Sequence, residues 1–480
     1  MPGRGRIHWL ADRMETPPMR PSKPDTSTQS DMFRETLEAI LDPRHELLEL
    51  GRRIDWARLD GVCGETFVDH VGRPGLPTRL MAGLHILKHV KGLSDEAVCA
   101  AWVENPYFQA FCGERFFRHR LPLERSSMTR WRKRIGAERL ETLLADTLAI
   151  ALDSAAVKPT AMERVTIDTT VQTKAVAYPT DGHLMLRAVE RLAAFARKQG
   201  VALRQSFVRV ARHARREAAR LLHGRGHSQG MRHLRKLRTF LGRLIRDVAR
   251  KLEGDPAREA AFTGVLERAR RIHGQRPGDA DKLYAFHAPE VECIARGKAR
   301  ARYEFGVKTS FAVTNARGPG GQFVLGARTL PGNPYDGRSL AAQIDQVTRL
   351  TGRPVRRAYV DRGYRGHGVE REGLQVVVSH SRGILSPTIR REMRRRNGIE
   401  PVLGHMKTDG LLERNHLHGP EGDAVNAILC AIGHNCRLLL AWFRRLLACL
   451  IELILRAVLQ CPPARVAPLV GALHTHPVAA

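Results

Sequence analysis

The chain has 480 residues, a net charge of +30 at pH 7 and a pI of about 10.8. This length allows roughly three domains, each with its own hydrophobic core. The charge lies far outside the range of an ordinary soluble enzyme, so it indicates a polyanionic partner, for which nucleic acid is the usual candidate. Aromatic residues make up only 6% of the chain. This disfavours stacking on single-stranded bases and favours phosphate contacts with double-stranded DNA.

The eight cysteines form no CxxC pair, and thiols scattered in this way are typical of a reducing cytoplasm. Cys430, His434 and Cys436 have a spacing that would suit a zinc site. Residues 427–440, however, have the pattern of an apolar helix, in which cysteine is a common small buried residue. The sequence favours this structural interpretation over zinc, and its cysteine usage predicts a cytoplasmic protein.

The sequence predicts neither a secretory signal nor a membrane span. Charged residues interrupt every apolar run near the N-terminus. Residues 438–460 are strongly apolar, but three arginines and one glutamate interrupt them. A membrane span needs about 20 residues with few charges, so this segment is expected to be an amphipathic packing helix of a soluble protein.

The N-terminal third is predicted to be a disordered arm (1–33) followed by a helical DNA-binding domain (34–149). Leu80, Leu84 and Leu87 mark one face of a helix that ends near Gly92, and Ser94 begins the next helix. So short a turn suggests a helix-turn-helix, but on this evidence alone a generic pair of antiparallel helices is the favoured interpretation. Further on, residues 127–134 have the pattern of a capped, basic helix start. Its predicted DNA contacts are Arg130, Arg132, Lys133 and Arg134.

The sequence pattern changes at residues 164–170. Apolar and polar residues alternate there and many are β-branched, so this segment predicts a strand. Asp168 lies inside it, although aspartate is unfavourable in strands and calls for a reason. A basic helical insertion follows at about 185–285. Between Arg187 and Lys251 the sequence has nineteen Lys and Arg against three acids. Repulsion at this density would be costly without a polyanion, so DNA is favoured over a merely solvated helix face.

Strands return in the second half of the chain. Residues 303–313 and 322–327 predict a hairpin, and a helix carrying Leu340 and Ile344 follows. A short strand ends at Asp361, another strand covers 374–379, and Ser386 caps a helix with Pro387 in its first turn. These elements predict an α/β fold with a mixed sheet.

A third acid, Glu400, lies among cations. Arg396 precedes it by four positions and Lys407 follows it by seven, which places Glu400 and Lys407 on one face if they share a helix. Gly398 is expected to end one helix, and Glu400-Pro401 is expected to open the next. Three other nearby acids have simpler explanations. Glu392 is expected to form ion pairs along a helix, Asp409 to lie in a turn, and Glu413 to be exposed.

Asp168, Asp361 and Glu400 can converge at one edge of the sheet. Three such carboxylates repel one another unless divalent cations lie between them. Hard oxygen ligands suit Mg²⁺ or Mn²⁺, and two ions about 4 Å apart can activate a nucleophile and stabilise the leaving oxygen of a phosphodiester. The sequence contains no GxxxxGK[ST], GxSxG or HExxH motif, so nothing in it indicates ATP hydrolysis, a nucleophile elbow or a zincin site.

At this point the chain resembles the DDE transposases of bacterial insertion sequences, in particular family five and the related family four. The resemblance covers residues 34 to about 448 and is carried by short segments in a specific order and spacing. They are Ile167-Asp168-Thr169-Thr170-Val171-Gln172, Tyr178-Pro179-Thr180-Asp181, His287-Ala288-Pro289-Glu290-Val291-Glu292-Cys293, Asp361-Arg362-Gly363-Tyr364, and Ile399-Glu400-Pro401 with Gly404, Lys407 and Arg414-Asn415. Arg396, Glu400 and Lys407 fit the signature around the glutamate, but Met393 stands where the family has tyrosine.

The resemblance implies an RNase H-like catalytic domain at 150–448 and cut-and-paste transposition by a homodimer on DNA. It also implies a bacterial protein associated with the nucleoid. Asp168, Asp361 and Glu400 would hold two Mg²⁺ or Mn²⁺ ions. The implied DNA contacts near them are Arg396, Lys407, Tyr364 and Arg365. Residues 449–480 would be the end of an amphipathic helix and a flexible tail. Two alternatives stay open: an inactive descendant that represses by binding the ends, and a metal-dependent nuclease that no longer joins strands.

Overall fold

The computed structural model describes residues 35–67, 75–222, 224, 226–276, 278–295, 303–379 and 386–460. The predicted N-terminal arm and most of the predicted C-terminal tail lie outside the described residues. Within them the chain has a mixed α/β fold, as the sequence predicts.

The N-terminal part is helical. Its helices are α1 (Leu37–Ile40), α2 (Glu46–Arg53), α3 (Trp56–Gly64), α4 (Thr78–Lys91), α5 (Asp95–Glu104), α6 (Pro106–Phe111), α7 (Ser126–Asp153) and α8 (Pro159–Met162). The predicted turn between α4 and α5 is present. Gly92 ends α4 in the left-handed region at φ 65°, and the Ser94 hydroxyl accepts a hydrogen bond from the Ala97 N–H at 3.0 Å. The helix start predicted at residues 127–134 lies close to the observed start of α7 at Ser126, but the predicted cap is wrong, because no side chain caps the first turn of α7.

The sheet-forming part begins with β1 (Arg164–Thr173). Four helices then form the basic insertion: α9 (Asp181–Lys198), α10 (Val208–Leu222), α11 (His227–Leu252) and α12 (Pro256–Gly274). The remaining elements are β2 (Glu292–Ala295), β3 (Tyr303–Thr314), β4 (Val324–Leu330), α13 (Asp336–Thr351), β5 (Arg357–Val360), β6 (Gln375–Val378), α14 (Pro387–Arg395), α15 (Ile399–Thr408) and α16 (Gly419–Gln460).

The sheet places β1 in its middle. Strand order is β2-β3-β1-β5-β6, and β4 also pairs with β3. β3 runs antiparallel to β1, whereas β5 runs parallel to it and β6 parallel to β5. The predicted hairpin is the antiparallel β3–β4 pair. Because β1 is flanked on both sides, residues at its end lie near the centre of the sheet and not at a frayed edge.

Two separate hydrophobic cores support this arrangement. The basic insertion has its own core, built from apolar residues of α9, α10, α11 and α12 such as Leu192, Leu241 and Phe262. The other core is continuous from the N-terminal helices to the sheet and α16. The boundary predicted near residue 149 therefore does not separate two cores, because α7 packs on α16 and β4.

Helix α16 is the long connection in this core, packing on α2, α4, α7 and β4. A β-carbon built on Gly433 would lie only 2.6 Å from the β-carbon of His89, so glycine is needed for α16 to approach α4 this closely. The other end of α16 differs from the prediction of a packing helix. Large apolar side chains between Leu446 and Leu455 are exposed. No helix among the described residues has the length and apolarity required to cross a membrane.

Candidate active site

Asp168 and Asp361 lie level with each other on neighbouring parallel strands. The register pairs Thr166 of β1 with Tyr359 of β5. Asp168 lies two residues further along β1, and Asp361 lies two residues after Tyr359, directly past the end of β5. Both side chains are half-buried. Each carboxylate accepts a hydrogen bond from a nearby backbone N–H, at 2.7 Å from Thr169 and at 2.9 Å from Gly363. The structure therefore brings together two of the three predicted catalytic acids.

Asp336 is a further acid at this place, and the sequence analysis missed it. It is the first residue of α13, and its Oδ1 accepts from the Thr169 hydroxyl at 3.3 Å and from the Lys308 ammonium at 3.1 Å. A β-carbon built on Gly363 would lie 3.0 Å from Oδ1 of Asp361 and 3.1 Å from Oδ2 of Asp336. The carboxylates of Asp336 and Asp361 thus approach Gly363 together, which leaves no room for a side chain there.

Tyr364 lies close to Asp168, Asp336 and Asp361. Its side chain is fully buried. Burial raises the pKa of Tyr364 well above its usual value, and the charges of Asp168, Asp336 and Asp361 raise it further. The prediction that Tyr364 contacts DNA is wrong for this conformation, because a buried ring cannot reach a phosphate. Its neighbour Arg365 is exposed, as a DNA contact requires.

Glu400 lies in the first turn of α15, which packs on β1. It shares this helix with Lys407, as predicted, but its side chain is exposed, unlike those of Asp168 and Asp361. Gly398 does not stop a helix. It has helical φ of −61° and belongs to a 3₁₀ turn between α14 and α15, and a β-carbon there would lie 2.9 Å from Oε1 of Gln322. Among the described residues, no three His, Cys, Asp or Glu side chains are arranged to hold a metal ion.

The two predicted phosphate ligands lie beside different acids. Arg396 places Nη1 4.0 Å from Oδ2 of Asp168, which brings this cation to the candidate site. The Lys407 ammonium lies 3.7 Å from Oε1 of Glu304, a residue of β3. Arg396 and Lys407 are both mostly buried, with 16% and 15% of their side chains exposed.

Glu392 has a structural role that differs from the predicted one. It is buried, and its carboxylate accepts from Arg357 at 2.6 Å, from Arg164 at 3.2 Å and from the Tyr359 hydroxyl. These partners lie on β1 and β5 and not along its own helix. Burial opposes ionisation, but the Tyr359 and Arg357 hydrogen bonds outweigh it and lower the pKa of Glu392. Glu392 thus anchors α14 to the sheet.

The other two acids near Glu400 lie where the sequence places them. Asp409 follows α15 and contacts Nδ1 of His405 at 3.0 Å, and Glu413 is exposed.

The zinc alternative lacks a suitable geometry. Cys430 donates from Sγ to the Gly410 carbonyl at 2.9 Å, whereas Nε2 of His434 contacts the Gln322 carbonyl at 3.1 Å. Cys436 is fully buried, and burial raises the pKa of both thiols to about 12. These side chains therefore serve as packing and backbone contacts, in agreement with the structural interpretation.

The basic segment at the start of α7 divides into exposed and buried residues. Arg130 and Lys133 are exposed. Arg134 lies over the ring of Phe67, with its guanidinium carbon 5.4 Å from the ring centre.

Arg132 is buried and forms a forked ion pair with Asp95, at 3.0 and 2.6 Å. Lys88 contacts the same carboxylate at 2.6 Å. Burial opposes the ionisation of Asp95, but Arg132 and Lys88 still hold the pKa of this carboxyl well below its usual range. Arg132 therefore joins α7 to α5 and is not available as a DNA contact, contrary to the prediction.

Replacing Arg132 is expected to lower the stability of the folded protein without a direct effect on DNA binding. Arg132→Ala leaves Asp95 with a single cation in a mostly buried place, and breaking a buried pair costs about 3–5 kcal/mol. Urea unfolding at pH 7 measures this loss. Lys133→Ala is the matched control, because Lys133 is exposed on the same turn, and its unfolding midpoint should stay unchanged. Equal midpoints for the two variants would contradict the structural role of Arg132.

Comparison with known proteins agrees with a transposase-related chain. Residues 35–134 match the family described as "Transposase domain (DUF772)". The chain is also 51% identical over 207 residues to the "Uncharacterized protein ORF8 in nfe locus" of Rhizobium meliloti. That match covers 43% of this chain and 99% of the Rhizobium protein. No solved structure matches the chain.

The mixed α/β fold and the transposase domain define a transposase-related protein. Because nearly the whole Rhizobium protein is matched at 51% identity, the chain belongs to the same family as that ORF8 protein.

Proposed function

We propose that this protein is a DDE transposase that binds the ends of an insertion sequence, cleaves them and joins them to target DNA. One observation carries the proposal. Asp168 of β1 lies level with Asp361, which directly follows the adjacent parallel strand β5, and Arg396 lies beside Asp168, in a chain that also has a transposase domain. An RNase H-like core is part of the same proposal, supported by the central position of β1 in the mixed sheet.

The donor atoms at this place fit a hard divalent cation. Asp168 and Asp361 are both close enough to the buried Tyr364 for their negative charges to raise its pKa. Mg²⁺ or Mn²⁺ is suited to such oxygen ligands. A bound ion would supply Lewis-acid activation of water and of the phosphodiester. Glu400 is proposed as the third ligand on the strength of its place in α15 next to β1.

The cations have a separate task. Arg396 beside Asp168 would hold the phosphate that is cut, because a guanidinium matches phosphate oxygens in geometry and charge. The exposed arginines of the basic insertion would supply affinity for the DNA backbone. Pairing two transposon ends requires two active sites, so the proposal includes a homodimer on DNA.

The proposal is tested with the purified full chain, labelled DNA carrying the element's own ends, a target plasmid and Mg²⁺. A transposase yields cleaved ends and joined products. Binding without cleavage would indicate an end-binding repressor, and cleavage without joining would indicate a nuclease. Either of these two results contradicts the proposed function.

The basic insertion gives a prediction on salt dependence. Arg216, Arg232 and Lys236 are exposed on α10 and α11. Replacing all three with glutamine should make the plot of log affinity against log salt shallower by about 0.9 for each phosphate that is no longer neutralised. The matched control exchanges each residue for the other basic residue (Arg216→Lys, Arg232→Lys, Lys236→Arg). It keeps the positive charge, so the slope should be unchanged. An unchanged slope in the glutamine variant would assign the insertion a structural or subunit-facing role.

A further inference from the structure

We propose that a groove between helix α9 and residues 284–287 binds the phosphate backbone of the DNA that extends from the bond to be cut. We call this surface the α9 groove. The inference rests on the proposed function and adds to it a defined path for the DNA, across the junction between the basic insertion and the sheet.

The α9 groove consists of two adjoining cavities, of about 220 and 550 Å³, whose linings share Arg191, Phe286 and His287. No aspartate or glutamate is among the described residues that line either cavity. The arginines and lysines of the lining come from α9 and α12, and they are Arg187, Arg191, Lys198 and Arg268. The groove is therefore basic along its length, as an anionic ligand requires.

The spacing of the cations on α9 favours a polyanion over a small ion. Arg191 follows Arg187 by four positions and Lys198 follows Arg191 by seven, so all three lie on one face of the helix. This row extends over about 16 Å of helix. A single phosphate ion could contact only part of the row, whereas one DNA strand carries a charge for about every 3.4 Å of the helix axis.

Two of the three cations on α9 are available for a ligand. All three side chains are exposed. Arg187 lies 3.0 Å from Glu190 of the same helix. Arg191 and Lys198 form no ion pair with any residue that the structure describes. DNA phosphates would give these two residues the anionic partners that the protein itself does not supply.

His287, which lines both cavities, responds to the positive charge of the groove. Burial lowers the pKa of His287, and the neighbouring His418, Arg191 and Arg187 lower it further, whereas Glu290 opposes them. The cations thus outnumber the acids that act on this side chain. A phosphate in the groove would offset this excess of positive charge.

The groove is preformed, because both of its sides are packed. Phe286 belongs to the core of the basic insertion. Ala285 and Ala288 pack instead with Val176, which follows β1, and with Phe305 of β3. One short segment therefore joins the insertion to the sheet, and little ordering of the walls is needed when DNA binds.

The groove begins close to the strand of Asp168. Val176 and Ala177 line its first cavity, and Val176 follows Asp168 by eight positions. Eight residues span at most about 29 Å, which corresponds to roughly nine base pairs at about 3.4 Å each. The first phosphates in contact with the groove are therefore expected within about nine base pairs of the cut bond.

The test measures the affinity of the purified full chain for duplexes that carry the element's own ends. In each duplex a neutral methylphosphonate replaces a single phosphate. At a phosphate that Arg191 contacts, wild-type affinity should fall about tenfold or more, the scale of one charge-assisted hydrogen bond. Arg191→Gln should lose a similar factor on unmodified DNA and nothing further on that duplex, because the contact is already absent.

Arg197→Gln is the matched control. Arg197 is an exposed arginine of the same helix that lines neither cavity of the groove, so its replacement should preserve the wild-type pattern of sensitive phosphates. Lys198→Gln gives the same comparison at the other end of the row, should Arg191→Gln not fold.

Two results would contradict the inference, and they differ from failure of the proposed function. The inference is overturned if the folded groove variants show the same sensitive phosphates as the wild type, or if the wild type binds no DNA. Binding without cleavage would contradict the proposed function alone, because the phosphate pattern is measured from affinity and not from cutting.

Discussion

Asp168→Asn is expected to lower Mg²⁺-dependent cleavage of end DNA by roughly 10³-fold or more, the scale on which removal of a central catalytic group acts. Asparagine has the shape of aspartate but lacks the charge, so the fold of β1 should be retained. The charge matters because Asp168 lies level with Asp361 and 4.0 Å from Arg396, where metal and phosphate are proposed to meet. Single-turnover cleavage of labelled DNA measures the effect.

DNA binding separates this loss from a folding defect. Removing one negative charge beside the proposed phosphate position should leave the gel-shift affinity equal or slightly stronger. Asp153→Asn is the control, because Asp153 is an exposed acid at the end of α7, and its replacement should change neither binding nor cleavage. Full cleavage by Asp168→Asn would place the active site elsewhere.

Lys174→Met is expected to cause the largest loss of stability. Lys174 lies just past β1, and its ammonium contacts Asp423 of α16 and lies 3.0 Å from Oε1 of Glu290. The exposed fractions of these three side chains are only 4%, 3% and 10%. Methionine fills a similar volume but leaves two buried carboxylates without their cation. Breaking such a group costs about 3–5 kcal/mol, which urea unfolding at pH 8 would show.

The loss of stability caused by Lys174→Met should depend on pH. Burial raises the pKa of Asp423 to about 6, even though Lys174 lowers it. A raised carboxyl pKa means that the protonated form fits the folded state better, so stability declines as pH rises through that pKa. Without Lys174 the pKa rises further, and the deficit at pH 8 should exceed the deficit at pH 5. Lys198→Met, at an exposed position of α9, is the control. Equal deficits at both pH values would contradict the role of Asp423.

The strands and the two aspartates follow from local patterns in the sequence. Asp168 interrupts a β-branched strand and Asp361 ends a short one, and parallel pairing of β1 and β5 is what brings these two residues level. Both strands are short-range features, so their positions were predictable. The helix carrying Glu400 and Lys407 was also predictable from spacing.

Long-range partners were not predictable in the same way. Asp336 follows Pro334 and Tyr335 at a helix start, where an acid is common for local reasons, and only the packing of α13 on β3 brings it to Lys308. Arg132 belongs to a basic run that looks exposed, yet its neighbours Arg130 and Lys133 face solvent while it faces Asp95. Which member of a charged run turns inward depends on a partner 37 positions away.

The packing of helix α16 has a consequence for the distance between a recognised DNA sequence and the bond that would be cut. Near its first turn it meets the end of β1 through Asp423 and Lys174, and further along Gly433 is seated against His89 of α4. A single helix thus braces the strand of Asp168 against the segment that matches the transposase domain. For the transposase proposed above, the number of base pairs between the recognised sequence and the cut bond would be set by the dimensions of the fold and not by a flexible linker.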